Sequence, residues 1–231
     1  MKLQLLSDLH LEVHPQFRIS AAAGADLLIL AGDIGSYQAA SRLVDPDFGL
    51  TRFSRRHGWP TPVLYVPGNH EYDNADFDLT HERLRALCEA LDIQWLERES
   101  RVIGGVRFVG TTLWADFDAL IEPGDGMTEA LRKRGKAMRA ANFYLEKAVT
   151  LRDGEVFLAE PLREHSLTCQ AWLREALAQD FEGPTVAITH FAPTLASADP
   201  RYGLTPGTAG FCNSLDELLP RADLWLHGHL H

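Results

Sequence analysis

The chain is poor in cysteine. Cys88, Cys169 and Cys212 are widely spaced and form no CxxC pair, which excludes a disulfide framework and fits a reducing cytoplasm. It has no apolar run approaching the ~20 residues needed to span a bilayer. Met1 and Lys2 lead straight into Leu3-Gln4-Leu5-Leu6, without a charged leader or a cleavage pattern. No membrane partner is therefore expected. Basic charge is in deficit, with 22 Lys and Arg against 32 Asp and Glu for a net charge of −10, and this disfavours non-specific capture of nucleic acid or anionic membrane. A phosphate-bearing substrate would need cations supplied at the site itself. Internal repeats and low-complexity tracts are also absent.

What is present is enough apolar material for a core: 45% of 231 residues are hydrophobic, which suits a single domain over residues 1–231. Short apolar runs recur at Leu3 to Leu6, Asp26 to Ala31, Val63 to Val66, Thr185 to Ile188 and Leu224 to Leu226. Each has the length of a buried strand and is followed at once by polar residues. Helical patterns are expected between them, over Ser36 to His57, Leu79 to Leu91 with Thr80 as a cap, Thr128 to Val149, and Glu164 to Ala178. The alternation predicts an α/β layered fold. Two β-rich runs flank Gly104-Gly105 within Val102 to Val109, the pattern of a hairpin. A hairpin adds antiparallel strands and argues against a purely parallel sheet.

Chemistry-bearing residues follow those strands. Asp8-Leu9-His10 comes after the first, Gly32-Asp33 after the second, Pro67-Gly68-Asn69-His70-Glu71 after the third, His190 after a later one, and Gly228-His229-Leu230-His231 at the end. Taken singly, each has an ordinary explanation: a helix cap, a turn Asp, a Pro-Gly-Asn turn, a structural His or a polar terminus. Taken together they are carboxylate, amide and imidazole groups at strand ends, a donor mixture suited to a borderline divalent ion.

In this order the motifs resemble the signature of the calcineurin-like metallophosphoesterases: Asp-x-His, Gly-Asp, Gly-Asn-His-(Asp/Glu), a lone His and Gly-His-x-His. The stretch Gly110-Thr111-Thr112-Leu113-Trp114-Ala115-Asp116-Phe117 looks like that of small single-domain bacterial members. The resemblance implies a four-layer α/β/β/α sandwich with two mixed β-sheets and two metals on one rim. Carried over by position, Asp8, His10, Asp33 and His231 would hold one ion, and Asp33, Asn69, His190 and His229 the other, with Asp33 bridging. Mixed nitrogen and oxygen ligation fits Mn, Fe, Zn or Co, with Mn favoured, better than Ca or an all-oxygen Mg site. Paired ions lower the pKa of a shared water to about 7 for in-line attack on phosphorus. His70, beside a ligand but not counted as one, is the candidate to protonate the leaving oxygen. Many members place an Asp three residues after the bridging Asp to orient this His. Here that position is Ser36, so another partner is required.

The expected activity is hydrolysis of a small phosphomonoester or phosphodiester. The alternatives are a cyclic-nucleotide phosphodiesterase or nuclease of the same fold, a non-catalytic metal-binding interaction module, and a metal-dependent amidohydrolase, which typically opens on His-x-His rather than Asp-x-His. Nucleic acid is expected only as a nucleotide or short oligonucleotide. The run Arg132-Lys133-Arg134 reads first as a solvated helix face. The stretch from about Asp116 to Pro161 is the least sheet-like and a candidate to overhang the metal rim. Relatives continue beyond Gly-His-x-His, so further strands are expected after His231.

Overall fold

The computed structural model describes residues 1–201 and 203–230. Each apolar run expected to form a strand does so: β1 (Leu3–Leu6), β2 (Leu27–Ala31), β3 (Val63–Val66), β9 (Thr185–Thr189) and β10 (Leu224–His227). The Gly-Gly segment turns between β5 (Glu99–Ile103) and β6 (Val106–Thr111), with Gly104 and Gly105 at φ 56° and 78°. A two-residue turn with both residues in the left-handed region matches the twist of its flanking strands. Short strands β4 (Gln94–Trp95), β7 (Leu151–Arg152) and β8 (Glu155–Val156) complete the set.

The strands form two principal sheets. One has the order β1-β2-β3-β4 and is parallel at every pairing. The other has the order β10-β9-β6-β5, parallel except for the β5–β6 hairpin. The antiparallel addition is thus confined to one sheet. Helix α1 (Phe77–Leu91) links β3 to β4, and the connection from β6 to β9 contains α2 (Met127–Ala148), the β7–β8 hairpin and α3 (Ala159–Ala178).

Alternation along the strands fixes the packing. In β2, Leu27, Ile29 and Ala31 join Leu64, Val66, Phe108, Val186 and Ile188 in one buried cluster, so the two sheets meet through these faces. Leu28, Leu30 and Tyr65 point the other way, into a cluster with Leu84, Cys88 and Leu91 of α1. Val109 of β6 shares that larger cluster with Leu173 and Leu177 of α3.

Two helical expectations need correction. Residues 36–57 form no α-helix, only 3-10 turns at Leu50–Phe53 and Arg55–His57. The stretch carries Pro46 and places Ala40, Phe48 and Gly49 at φ 68°, 53° and 76°, which helical hydrogen bonding cannot accommodate. The cap of α1 is Asp76, whose side chain accepts the Leu79 N–H, while Thr80 lies inside the helix. Among the described residues no helix is long and apolar enough to cross a membrane.

A ring cluster joins α1 to α3, with His165 5.0 Å from Phe77 and His81 5.1 Å from Trp95. Burial, assisted by the charge of Arg98, lowers the pKa of His81 to about 4 and that of His165 to about 3. Because both folded values lie below the ordinary 6.5, the unfolded chain binds more protons at acid pH. Stability is therefore fully present above pH 6.5 and falls as pH drops towards 4 and 3, by up to about 1.4 kcal/mol per pH unit for each His. Urea unfolding of the metal-free chain from pH 7 to 5 should show a steeper loss for wild type than for His165→Gln. Parallel curves would refute the assignment.

Candidate metal centre

Both sheets direct the carboxyl ends of their parallel strands to one rim, and the loops that leave those ends are tied together. Asp8 N–H donates to Gly32 O at 3.0 Å, His10 N–H to Asp33 O at 3.2 Å, and Gly228 N–H to His190 O at 3.2 Å. Asp8, His10, Asp33 and His229 all have positive φ, between 44° and 69°. Each such residue costs about 1–3 kcal/mol of backbone strain, and strain of this kind gathers at functional sites. The first and last motifs meet directly, because the Asp8 carboxylate accepts the His229 N–H with both oxygens at 3.0 Å.

Asp33 sits at the centre and is 1% exposed. Its Oδ1 accepts the His70 N–H at 2.9 Å, while Oδ2 lies 3.1 Å from His190 Nε2 and 4.0 Å from His70 Nε2. Its carboxylate belongs to both groupings that could hold a cation, His10–Asp33–His70 and Asp33–His190–His229. Asn69 completes the second, its Oδ1 3.2 Å from His190 Nε2. Asp8 lies in neither grouping, and His231 lies outside the described residues. His70 stands in the first grouping beside His10, so the residue expected to act as an acid also borders the ion site.

Each imidazole is held by its other nitrogen. His190 Nδ1–H donates to Ala31 O at 2.8 Å and His10 Nδ1–H to Glu12 Oε1 at 2.9 Å, which leaves Nε2 of each with a lone pair. A carboxylate, an amide oxygen and imidazole Nε2 atoms packed this closely are all acceptors, and only protons or a cation can reconcile them. Without a cation the protons take that role. Burial works against charge on His190, yet Asp33 raises its pKa to about 9, and Asp33 itself is held far below the carboxylate range by His190, His70 and His229 despite its desolvation. A divalent ion fits the same donor set and would displace those protons.

The missing partner of His70 is Asp73. His70 Nδ1–H donates to Asp73 Oδ2 at 2.5 Å, and Ser36 Oγ reaches the same oxygen at 3.5 Å. Burial opposes the charged imidazole, but Asp73 and Asp33 together lift its pKa to about 10. The Asp displaced from position 36 is thus replaced from the loop that carries the His itself.

Glu71 does not touch the imidazole. Its buried carboxylate accepts three backbone N–H groups, from Asp33 at 3.1 Å, Ile34 at 2.7 Å and Gly68 at 2.8 Å. It therefore clamps the second and third motif loops together, and burial pushes its pKa up to about 7. Gly68 is required there because a Cβ would collide with the Asp33 carboxylate. Glu71→Ala would orphan three buried donors and should cost about 3 kcal/mol or more of stability in urea unfolding. A loss under 1 kcal/mol would show that the clamp is not needed.

One further expectation resolves. Arg132, Lys133 and Arg134 pair with Glu129, Asp125 and Asp118, so the basic run is neutralised on its own helix and neighbouring loop. His227 donates or accepts at Ser197 Oγ, 3.0 Å away, and so steadies the wall of the site rather than its centre. A cavity of about 620 Å³ is lined by Asp33, His70 and His229 together with Ser197, Arg201, Thr208 and Phe211. Glu12, Asp73 and this wall were not found by sequence reasoning. The alternation Asp8, His10, Glu12 was the signal for the first; the wall has none.

Comparison with known proteins agrees with the geometry. An uncharacterized protein, L509, of Acanthamoeba polyphaga mimivirus is 24% identical over 183 residues, covering 73% of this chain and 61% of that protein. The chain thus spans about three-fifths of the length of that curated relative. The crystal structure of phosphopantetheinyl hydrolase from Mycobacterium tuberculosis is similar in fold, with a TM-score of 0.66 and 23% identity over 100% of this chain and 83% of that one. The family model for calcineurin-like phosphoesterases matches residues 1–231, and the strand-end motifs converge as that family requires: the chain belongs to the calcineurin-like phosphoesterases.

Proposed function

We propose that the protein is a dinuclear metal-dependent phosphoesterase acting on a small phosphomonoester or phosphodiester. The observation that carries this reading is the single buried carboxylate of Asp33 shared by two groupings of potential ligands. A carboxylate has two oxygens, so it can hold together cations that would otherwise repel. His10 and Asp33, with Asp8 and His231 as expected from the family pattern, would hold one ion; Asp33, Asn69, His190 and His229 would hold the other. When bound, such ions polarise a phosphoryl group and make water a nucleophile near neutral pH.

The chain's own residues supply the rest. His70 donates its Nδ1–H to Asp73, which fixes the ring, and in the imidazolium form that Asp73 and Asp33 favour, Nε2 carries a second proton facing the site. It is placed to protonate the departing oxygen, a contribution of about 10²- to 10⁴-fold. His10 and His190 are held in one tautomer by Glu12 and Ala31 O, which keeps both Nε2 atoms directed inward. The ring of His229 stacks on Phe191 with centroids 4.1 Å apart, so its orientation is also set by packing.

The test is a panel of aryl phosphates, nucleotides and phosphopantetheinyl esters, the last suggested by the structural neighbour's name, screened with Mn and other divalent ions. Turnover of at least one class supports the reading. Metal binding without any turnover would instead favour an interaction module.

A further inference from the structure

Beside the metal-facing cavity lies a second, narrow slot of about 90 Å³. Its walls come from distant parts of the chain: Trp114 and Phe117 after β6, Ala141 and Leu145 on α2, Phe191 after β9, and Phe211. Asn69 and His229 also border it, while Phe211 and His229 line the larger cavity as well. The two spaces therefore meet at the His229 ring, which lies 5.4 Å from Phe211.

The slot is a built feature. Trp114, Phe117 and Phe191 are 4%, 2% and 4% exposed, so its floor is fixed by the core. On α2 its lining includes Ala140 and Ala141, the small side chains that leave the space open. Among the described residues, no ionisable side chain borders it apart from the His229 imidazole and the Tyr144 phenol, whereas the larger cavity carries Asp199, Arg201, Thr205 and Thr208. An apolar group entering the slot gains burial, and a charged or polyhydroxylated one loses more hydration than the few polar groups at its border, Asn69, Tyr144 and His229, can replace. The volume sets the size: about 90 Å³ is well below the roughly 150 Å³ that admits a benzene ring in an engineered cavity.

We infer that the substrate is a phosphate ester carrying a short aliphatic arm of a few carbon atoms close to phosphorus. The arm enters the slot between α2 and Phe211 while the phosphoryl group faces Asp33 and His70. The inference rests on the phosphoesterase reading above, and it disfavours substrates whose only arms are ribose or a charged chain.

Non-hydrolysable alkylphosphonates test it by binding alone. Methyl-, ethyl-, propyl- and butylphosphonate, 2-carboxyethylphosphonate and inorganic phosphate are titrated calorimetrically into the full-length chain loaded with Mn. Affinity should rise about fourfold per added methylene until the slot is full, over tenfold from methyl to propyl, and then level off. The carboxyethyl arm should bind no more tightly than methyl. In Ala141→Leu, which fills the slot, the propyl-to-methyl ratio should fall to near one. If inorganic phosphate binds but the wild-type series is flat, or if Ala141→Leu keeps the wild-type slope, the inference is overturned and the metal-centre reading stands. If neither phosphate nor any phosphonate binds, both fall together.

Discussion

Asp33→Asn should lower turnover of an aryl phosphate by at least about 10³-fold, equivalent to some 4 kcal/mol of lost transition-state stabilisation. The substitution is conservative in shape. Asn keeps an oxygen that can accept the His70 N–H now bound at 2.9 Å by Oδ1, so the loop between β3 and α1 has reason to stay in place. What disappears is the negative charge beside His190 and His70, the charge that both candidate groupings share. The second atom also becomes an NH₂ donor, which cannot ligate a cation. Circular dichroism should therefore look close to wild type while metal content and activity drop together. Activity within tenfold of wild type, with metal retained, would remove Asp33 from the centre of the account.

The second large effect is expected at Asp73. Asp73→Ala should reduce kcat by about 10²-fold or more, within the range ascribed to a positioned general acid. Metal content should not change, since Asp73 belongs to neither grouping. Its role is positioning: it holds His70 Nδ1 at 2.5 Å and thereby directs Nε2 to the site. Asp73→Asn, whose amide oxygen can still accept that N–H, should recover part of the loss, giving the order wild type, Asn, Ala in kcat with little change in KM. Ser36→Ala removes the 3.5 Å contact to Asp73 and the bond that the hydroxyl accepts from Gln38 N–H at 3.1 Å, leaves Asp73 on His70, and should stay within about tenfold of wild type. Equal activity of all three variants would mean that His70 is oriented otherwise or does not act.

That pair of residues also shows where the sequence was readable. Asp8, His10, Asp33, Asn69, His190 and His229 could be found because each directly follows an apolar run that becomes a strand, and parallel strands bring their carboxyl ends to one side. The Gly104-Gly105 turn was likewise readable from its residues. Asp73 was hidden because its partner is three residues away across a 3-10 turn, His70–Tyr72, that no periodicity announces. Glu71 was adjacent to His70 in sequence, yet its carboxylate turns to the backbone of two loops, one of them 37 residues away. The segment 36–57 misled for a different reason: its composition suggested helix, while backbone turns at Ala40, Phe48 and Gly49 break it. The apolar slot was beyond reach altogether, since its walls come together only through tertiary packing of segments around residues 114, 141, 191 and 211.

If one buried carboxylate joins two cations for phosphoester hydrolysis, as proposed, ion content and turnover must change together. The most direct measurement is elemental analysis of the full chain after loading with Mn and removal of free ion, with aryl phosphate turnover followed on the same samples before and after chelation. The account predicts about two ions per wild-type chain, loss of turnover on chelation, and its return on reloading. Turnover that survives complete removal of the metal, or full activity with less than one ion per chain, would contradict it.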